Sequence, residues 1–61
     1  MFLPKNSDIL LSLINTMLRD KYSSLNLLCD EEDVSVDSIV TPLENAGYYY
    51  NEELNAFVLK D

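Results

Sequence analysis

Apolar residues in the first third of the chain recur at helical spacing. Ile9, Leu10, Leu13, Ile14, Met17 and Leu18 fall on one side of a helix when successive residues are set 100° apart, and Leu11 joins Leu18 at one margin. The pattern predicts helix 1 over about residues 7–20. Asn6 offers a side-chain oxygen as its N-cap, and Asp8 puts negative charge where the helix dipole favours it. Ahead of it, Phe2, Leu3 and Pro4 form an apolar lead-in expected to fold back onto the domain. The apolar arc spans about 200°, more than one packing face requires. Two readings account for that width: a central helix covered on several sides, or a helix whose Leu11 and Leu18 face a second protein chain.

A second helical pattern begins after Ser24, a suitable N-cap, and runs over about residues 25–32. Leu25, Leu28 and Cys29 share its inward face, while Leu27 points elsewhere and becomes a candidate contact residue. Asp33, Val34 and Ser35 make the turn into a third helix over about residues 36–46, with Val34 as inward anchor and Ser35 as N-cap. Val36, Ile39, Val40, Leu43 and Ala46 are its apolar positions. Pro42 removes a backbone donor and crowds the carbonyl of Ser38, so this helix is expected to kink or to restart at Thr41. Gly47 then supplies a left-handed stop.

Beyond Gly47 the period changes from helical to alternating. Tyr48–Tyr50 and Ala56–Leu59 are β-favouring runs around a polar turn, giving a hairpin over about residues 48–59. Asn51 can start the turn and Asn55 can take positive φ. With Asn51 opposite Ala56, Tyr50 meets Phe57 and Tyr48 meets Leu59 on the face that covers the helices, while Tyr49 and Val58 share the other. The fold class predicted is thus mainly α with a C-terminal β-hairpin: one small three-helix domain, winged-helix-like in outline.

Composition bounds what such a domain can do. The 61 residues suffice for one small core. No apolar run approaches the roughly 18 residues of a membrane span, and no membrane role is expected. Cys29 is the single cysteine, and the N-terminus lacks signal-peptide features, so a reducing cytoplasm is the simplest address. Charge is divided unevenly. In residues 1–29, Lys5, Arg19 and Lys21 against Asp8 and Asp20 leave +1; in residues 30–61, Lys60 stands against nine acidic residues and leaves −8.

No Lys or Arg occurs between Tyr22 and Leu59, the stretch that holds every element a helix-turn-helix would lay on DNA. A third helix exposing Asp37, Ser38, Thr41, Glu44 and Asn45 would repel phosphates, so autonomous nucleic-acid binding is not expected. Three tyrosines in a row evoke a base-stacking platform, but stacking sites lie in basic grooves and core packing accounts for them better.

Signals for chemistry are weak. The run Asp30-Glu31-Glu32-Asp33 lacks the alternating ligands and turn glycine of a calcium loop. Cys29 has no histidine anywhere in the chain to activate it. No catalytic residue, metal site or cofactor is assigned, and the chain is expected not to be an enzyme. The leading expectation is a protein-interaction module that meets a foreign protein or its own copy through Leu11, Leu18, Leu27, Tyr49 and Val58. A helix-turn-helix nucleic-acid binder or transcription accessory, acting with a more basic subunit, is the alternative.

Several blocks resemble a known family. They are Leu3-Pro4-Lys5, Asn15-Thr16 with Leu18-Arg19-Asp20, Tyr22-Ser23-Ser24-Leu25 with Leu28-Cys29, and Gly47-Tyr48 with Tyr50, Glu53, Asn55, Phe57 and Val58. Together they are similar to the bacterial domain of unknown function 4250 family, and span nearly the whole chain. That resemblance implies a short cytoplasmic bacterial protein without an assigned biochemical role. Met17, Ala56 and Pro42 depart from the family's pattern. Arg19 and Asp20 are its most distinctive polar pair. Their ordinary roles would be dipole matching at the helix end, by Arg19 with Lys21, and a bond from Asp20 into the following turn.

Overall fold

The computed structural model describes residues 1–60. Three helices, α1 (Ser7–Asp20), α2 (Leu25–Glu32) and α3 (Val36–Asn45), precede two antiparallel strands, β1 (Tyr48–Asn51) and β2 (Ala56–Leu59). Each helix starts where a short polar side chain can replace a missing backbone partner. Asn6 accepts from the amides of Asp8 and Ile9, Ser24 from Leu27, and Ser35 from Ser38. The connection from α2 to α3 turns at Asp33, which takes the left-handed conformation at φ 57° while Val34 N–H bonds back to the Cys29 carbonyl.

The core is assembled from all five elements. Leu10, Ile14 and Leu18 of α1 meet Leu25, Leu28 and Cys29 of α2, Ile39 and Leu43 of α3, and Phe57 of β2. On each helix they recur three or four residues apart along a common face, as burial against a shared centre requires. Tyr48 and Tyr50 pack on this cluster from β1, and the Tyr50 ring lies 5.5 Å from that of Phe57 in a tilted arrangement. The strand register pairs Tyr48 with Leu59, Tyr49 with Val58, Tyr50 with Phe57 and Asn51 with Ala56, as the alternation predicts. Asn55 at φ 51° and Gly47 at φ 96° supply the left-handed residues that the hairpin turn and the exit from α3 need.

The structure revises local expectations in four places. Of the kink or restart expected at Pro42, the restart does not occur, and α3 continues to Asn45 as one helix; Ile39 and Leu43 on either side are buried. Phe2 is 89% exposed, and only Leu3 of the apolar lead-in packs on the core. Leu59 is 65% exposed although it lies on the same strand face as Phe57, because the helices do not reach the end of the hairpin. Finally, the surplus apolar margin of α1 is the opposite one from that expected. Leu11 packs on the core and Leu18 is only 3% exposed, whereas Ile9 is 58% exposed and borders a shallow groove with Leu13. A hydrophobic arc fixes the width of an apolar stripe, not which margin its neighbours leave uncovered.

Candidate functional site

Part-buried polar side chains connect elements far apart in sequence, and the hairpin is their meeting point. Asn15, on α1, donates from its amide nitrogen to the Phe57 carbonyl at 3.0 Å and accepts from the Phe57 N–H at 2.7 Å. Both backbone groups of Phe57 therefore point away from β1, which makes Tyr50–Phe57 a non-hydrogen-bonded pair of the antiparallel ladder. The Asn15 side chain stands in for a peptide of a third strand. It closes the outer edge of β2 at Phe57.

A second asparagine closes the turn end. Asn55 donates to the carbonyls of Leu18 and Tyr22, both at 2.9 Å, satisfying backbone acceptors where α1 ends. Its oxygen accepts from the Tyr50 hydroxyl, which in turn accepts from the Leu25 amide at the first residue of α2. One linked set of hydrogen bonds thus joins α1, α2, β1 and the hairpin turn. Tyr22 adds a further tie by donating to the Glu32 carboxylate. That bond, burial and the neighbouring charges of Glu32 and Glu31 push the Tyr22 pKa up to about 12. Among the described residues no buried side-chain polar atom is left without a partner.

The strands alternate in what they present. Since Tyr48 and Tyr50 occupy non-hydrogen-bonded positions opposite Leu59 and Phe57, their N–H and C=O groups face outward from β1. No described residue supplies them with a partner. Beside this edge lies a groove of about 480 Å³ lined by Ser23, Ser24, Leu25 and Asn26 before and within α2, Val36 and Val40 of α3, and Tyr50 and Glu52 of the hairpin. A second pocket of about 570 Å³, near Asn15, Leu18, Arg19 and Leu54, borders the asparagine links already described.

The five residues expected to form one contact patch are placed differently from one another by the structure. Tyr49 and Val58 are cross-strand neighbours on the hairpin's outer face, with Tyr49 40% exposed. Leu27 is exposed but stands on α2, and Leu11 packs on the core. Leu18 leaves the candidate surface altogether, because it is buried between the helices. Arg19 and Asp20 bond to each other rather than to the turn, through two contacts of 2.9 Å. The Arg19 hydrogen bond holds the Asp20 carboxyl below its ordinary range, and the Asp20 hydrogen bond raises the Arg19 pKa. Both side chains are more than half exposed, so the pair is a solvated surface contact. Burial pushes the Cys29 thiol up, away from the reactive thiolate.

Asn15, Tyr50 and Asn55 are the polar residues that periodicity did not single out. A helix-wheel argument treats an asparagine beside an apolar stripe as a boundary residue. Its destination 42 residues along the chain, as for Asn15, is visible only once the hairpin is in place. The one available sign was that all three fall within the blocks quoted for the family resemblance.

The architecture is that of a small, mainly helical domain closed by a C-terminal hairpin. The chain belongs to the family described as Domain of unknown function (DUF4250), whose model matches residues 4–57. Neither a curated protein nor a solved structure matches it. No helix among the described residues is long and apolar enough to cross a membrane.

Proposed function

We propose that this chain is a protein-interaction module that performs no chemistry of its own. The observation that carries this reading is a division of labour between polar and apolar groups. The part-buried polar side chains Asn15, Tyr22, Tyr50 and Asn55 are engaged in bonds that hold elements together. Meanwhile Ile9, Leu27, Tyr49, Leu54 and Leu59 are exposed on an acidic surface. Apolar side chains at a surface, next to an interior whose polar groups are engaged, support contact with another macromolecule over catalysis. Exposed Asp37, Ser38, Thr41, Glu44 and Asn45 on α3 set the charge against a nucleic-acid partner.

Sedimentation across a concentration series, together with affinity capture from the native cell, tests the reading. A retained protein whose binding weakens when Leu27 and Tyr49 are changed to serine, or reversible self-association with the same sensitivity, is the expected result. A chain that stays monomeric at high micromolar concentration and retains nothing above a control column overturns it.

A further inference from the structure

The two edges of the hairpin are treated differently by the rest of the chain. Asn15 occupies both outward groups of Phe57 at the middle of β2, leaving only those of Leu59 at its end, whereas the outward N–H and C=O groups of both Tyr48 and Tyr50 on β1 have no partner among the described residues. An open strand edge is a template for another strand, and proteins ordinarily blunt it with lysine, proline or a cover. β1, Tyr-Tyr-Tyr-Asn, carries no lysine or proline. The groove beside it offers apolar wall from Leu25, Val36, Val40 and Tyr50, and its volume of about 480 Å³ is ample for a side chain of an added strand.

Charge selects the occupant. Glu52 lines the groove, and exposed Asp37 and Glu44 sit on α3, the helix that packs against β1. No cation lies between Tyr22 and Leu59 to offset them. A second copy pairing β1 to β1 would bring two such acidic surfaces together, at a net charge of −7 per chain. A basic segment is favoured instead.

We propose that β1 accepts an extended, basic segment of another protein as a third strand, hydrogen-bonded to Tyr48 and Tyr50, with an apolar side chain of that segment seated between Val36 and Val40. This rests on the interaction-module reading and adds to it the edge, the binding mode and the partner's chemistry. Backbone pairing supplies affinity in this mode, while the groove and the acidic rim supply selection.

The test uses the full chain and a labelled peptide alternating valine and lysine. Two controls replace lysine by glutamate, or a central valine by proline. Binding is read by fluorescence anisotropy and amide hydrogen exchange. The expected result is saturable binding of the Val-Lys peptide, at least about tenfold weaker binding of both controls, and exchange slowed at the Tyr48 and Tyr50 amides on saturation. Two exposed-site variants, Val36→Asp and Glu52→Lys, should each weaken the Val-Lys peptide severalfold while leaving the melting temperature near that of the parent.

Equal binding of the proline peptide, or binding that leaves the Tyr48 and Tyr50 amides unchanged, overturns strand addition. Equal binding of the glutamate peptide overturns the basic partner, and protection that grows with protein concentration alone assigns the edge to a second copy. If the Val-Lys peptide does not bind, while affinity capture still retains a protein sensitive to Leu27 and Tyr49, this inference fails and the interaction-module reading stands.

Discussion

One edge of the hairpin is tied to α1 at its middle residue, and the other has no such tie. Along β2, a single α1 side chain replaces the strand that is missing, and Asn55 fastens the turn to the end of α1. Along β1, the helices supply apolar packing to Tyr48 and Tyr50 but no hydrogen bonds to their outward backbone groups. A two-stranded hairpin is marginal by itself, so these side-chain links on the β2 side are what make it part of the domain. The β1 side carries less of that burden. It is where a change can be made without unfolding the protein, and where an outside strand can be received.

The strongest test of this contrast is Asn55→Ala. It removes the bonds to Leu18 and Tyr22, leaves the Tyr50 hydroxyl without its acceptor, and puts a β-carbon residue without a polar side chain at φ 51°. The expected loss is about 3–4 kcal/mol. A domain of this size has only about 3–9 kcal/mol in all, so urea unfolding should show a midpoint lowered by a third or more. Asn15→Ala leaves both Phe57 backbone groups unpaired and should cost about 2–3 kcal/mol. If either variant melts with the parent, the β2 side does not anchor the hairpin.

Tyr50→Phe is expected to be milder, at about 1–2 kcal/mol, because it keeps the ring on the core and removes only the hydroxyl between Leu25 and Asn55. By contrast Glu52→Lys, on the β1 side, should change stability by less than about 0.5 kcal/mol. Amide exchange sharpens the same comparison without mutation. The Phe57 amide, bonded to Asn15, should exchange far more slowly than those of Tyr48 and Tyr50. Similar rates at the two edges would break it.

The smallest effect concerns pH. Tyr22 favours its protonated form in the folded state, with a pKa pushed from 10.0 to about 12 chiefly by its bond to Glu32. Between those values the native chain holds more protons than the unfolded chain, so stability must fall as pH rises. The contribution is complete below the unfolded pKa and is lost through the folded one. Tyr22→Phe should flatten that decline in alkaline unfolding curves, and an unchanged slope would show that the Tyr22–Glu32 bond does not persist in solution.

Much of the backbone was legible from residue order because its causes are local. Asn6, Ser24 and Ser35 cap helices through groups two or three residues away, Gly47 and Asn55 take conformations that their own side chains permit, and strand alternation sets the hairpin register. The candidate surface was less legible. A contact role for Leu11 and Leu18 needs them outward, but Leu18 is buried and Leu11 packs half-buried on the core while Ile9 faces water, because the apolar arc of α1 is symmetric until neighbours cover one margin. Pro42 stays within α3 because the burial of Ile39 and Leu43 outweighs one missing donor.

The sequence by itself determined the elements, their boundaries and an acidic half without a cation from Tyr22 to Leu59. Those depend on side-chain type and on neighbours within a turn or a strand. Only the tertiary structure decided that Asn15 meets Phe57 and that Asn55 meets Leu18 and Tyr22, and hence which hairpin edge is tied to α1 and which is not. Those links join residues 33 to 42 positions apart. Their partners are backbone groups, which every residue carries, so no pattern of side chains could mark them in advance.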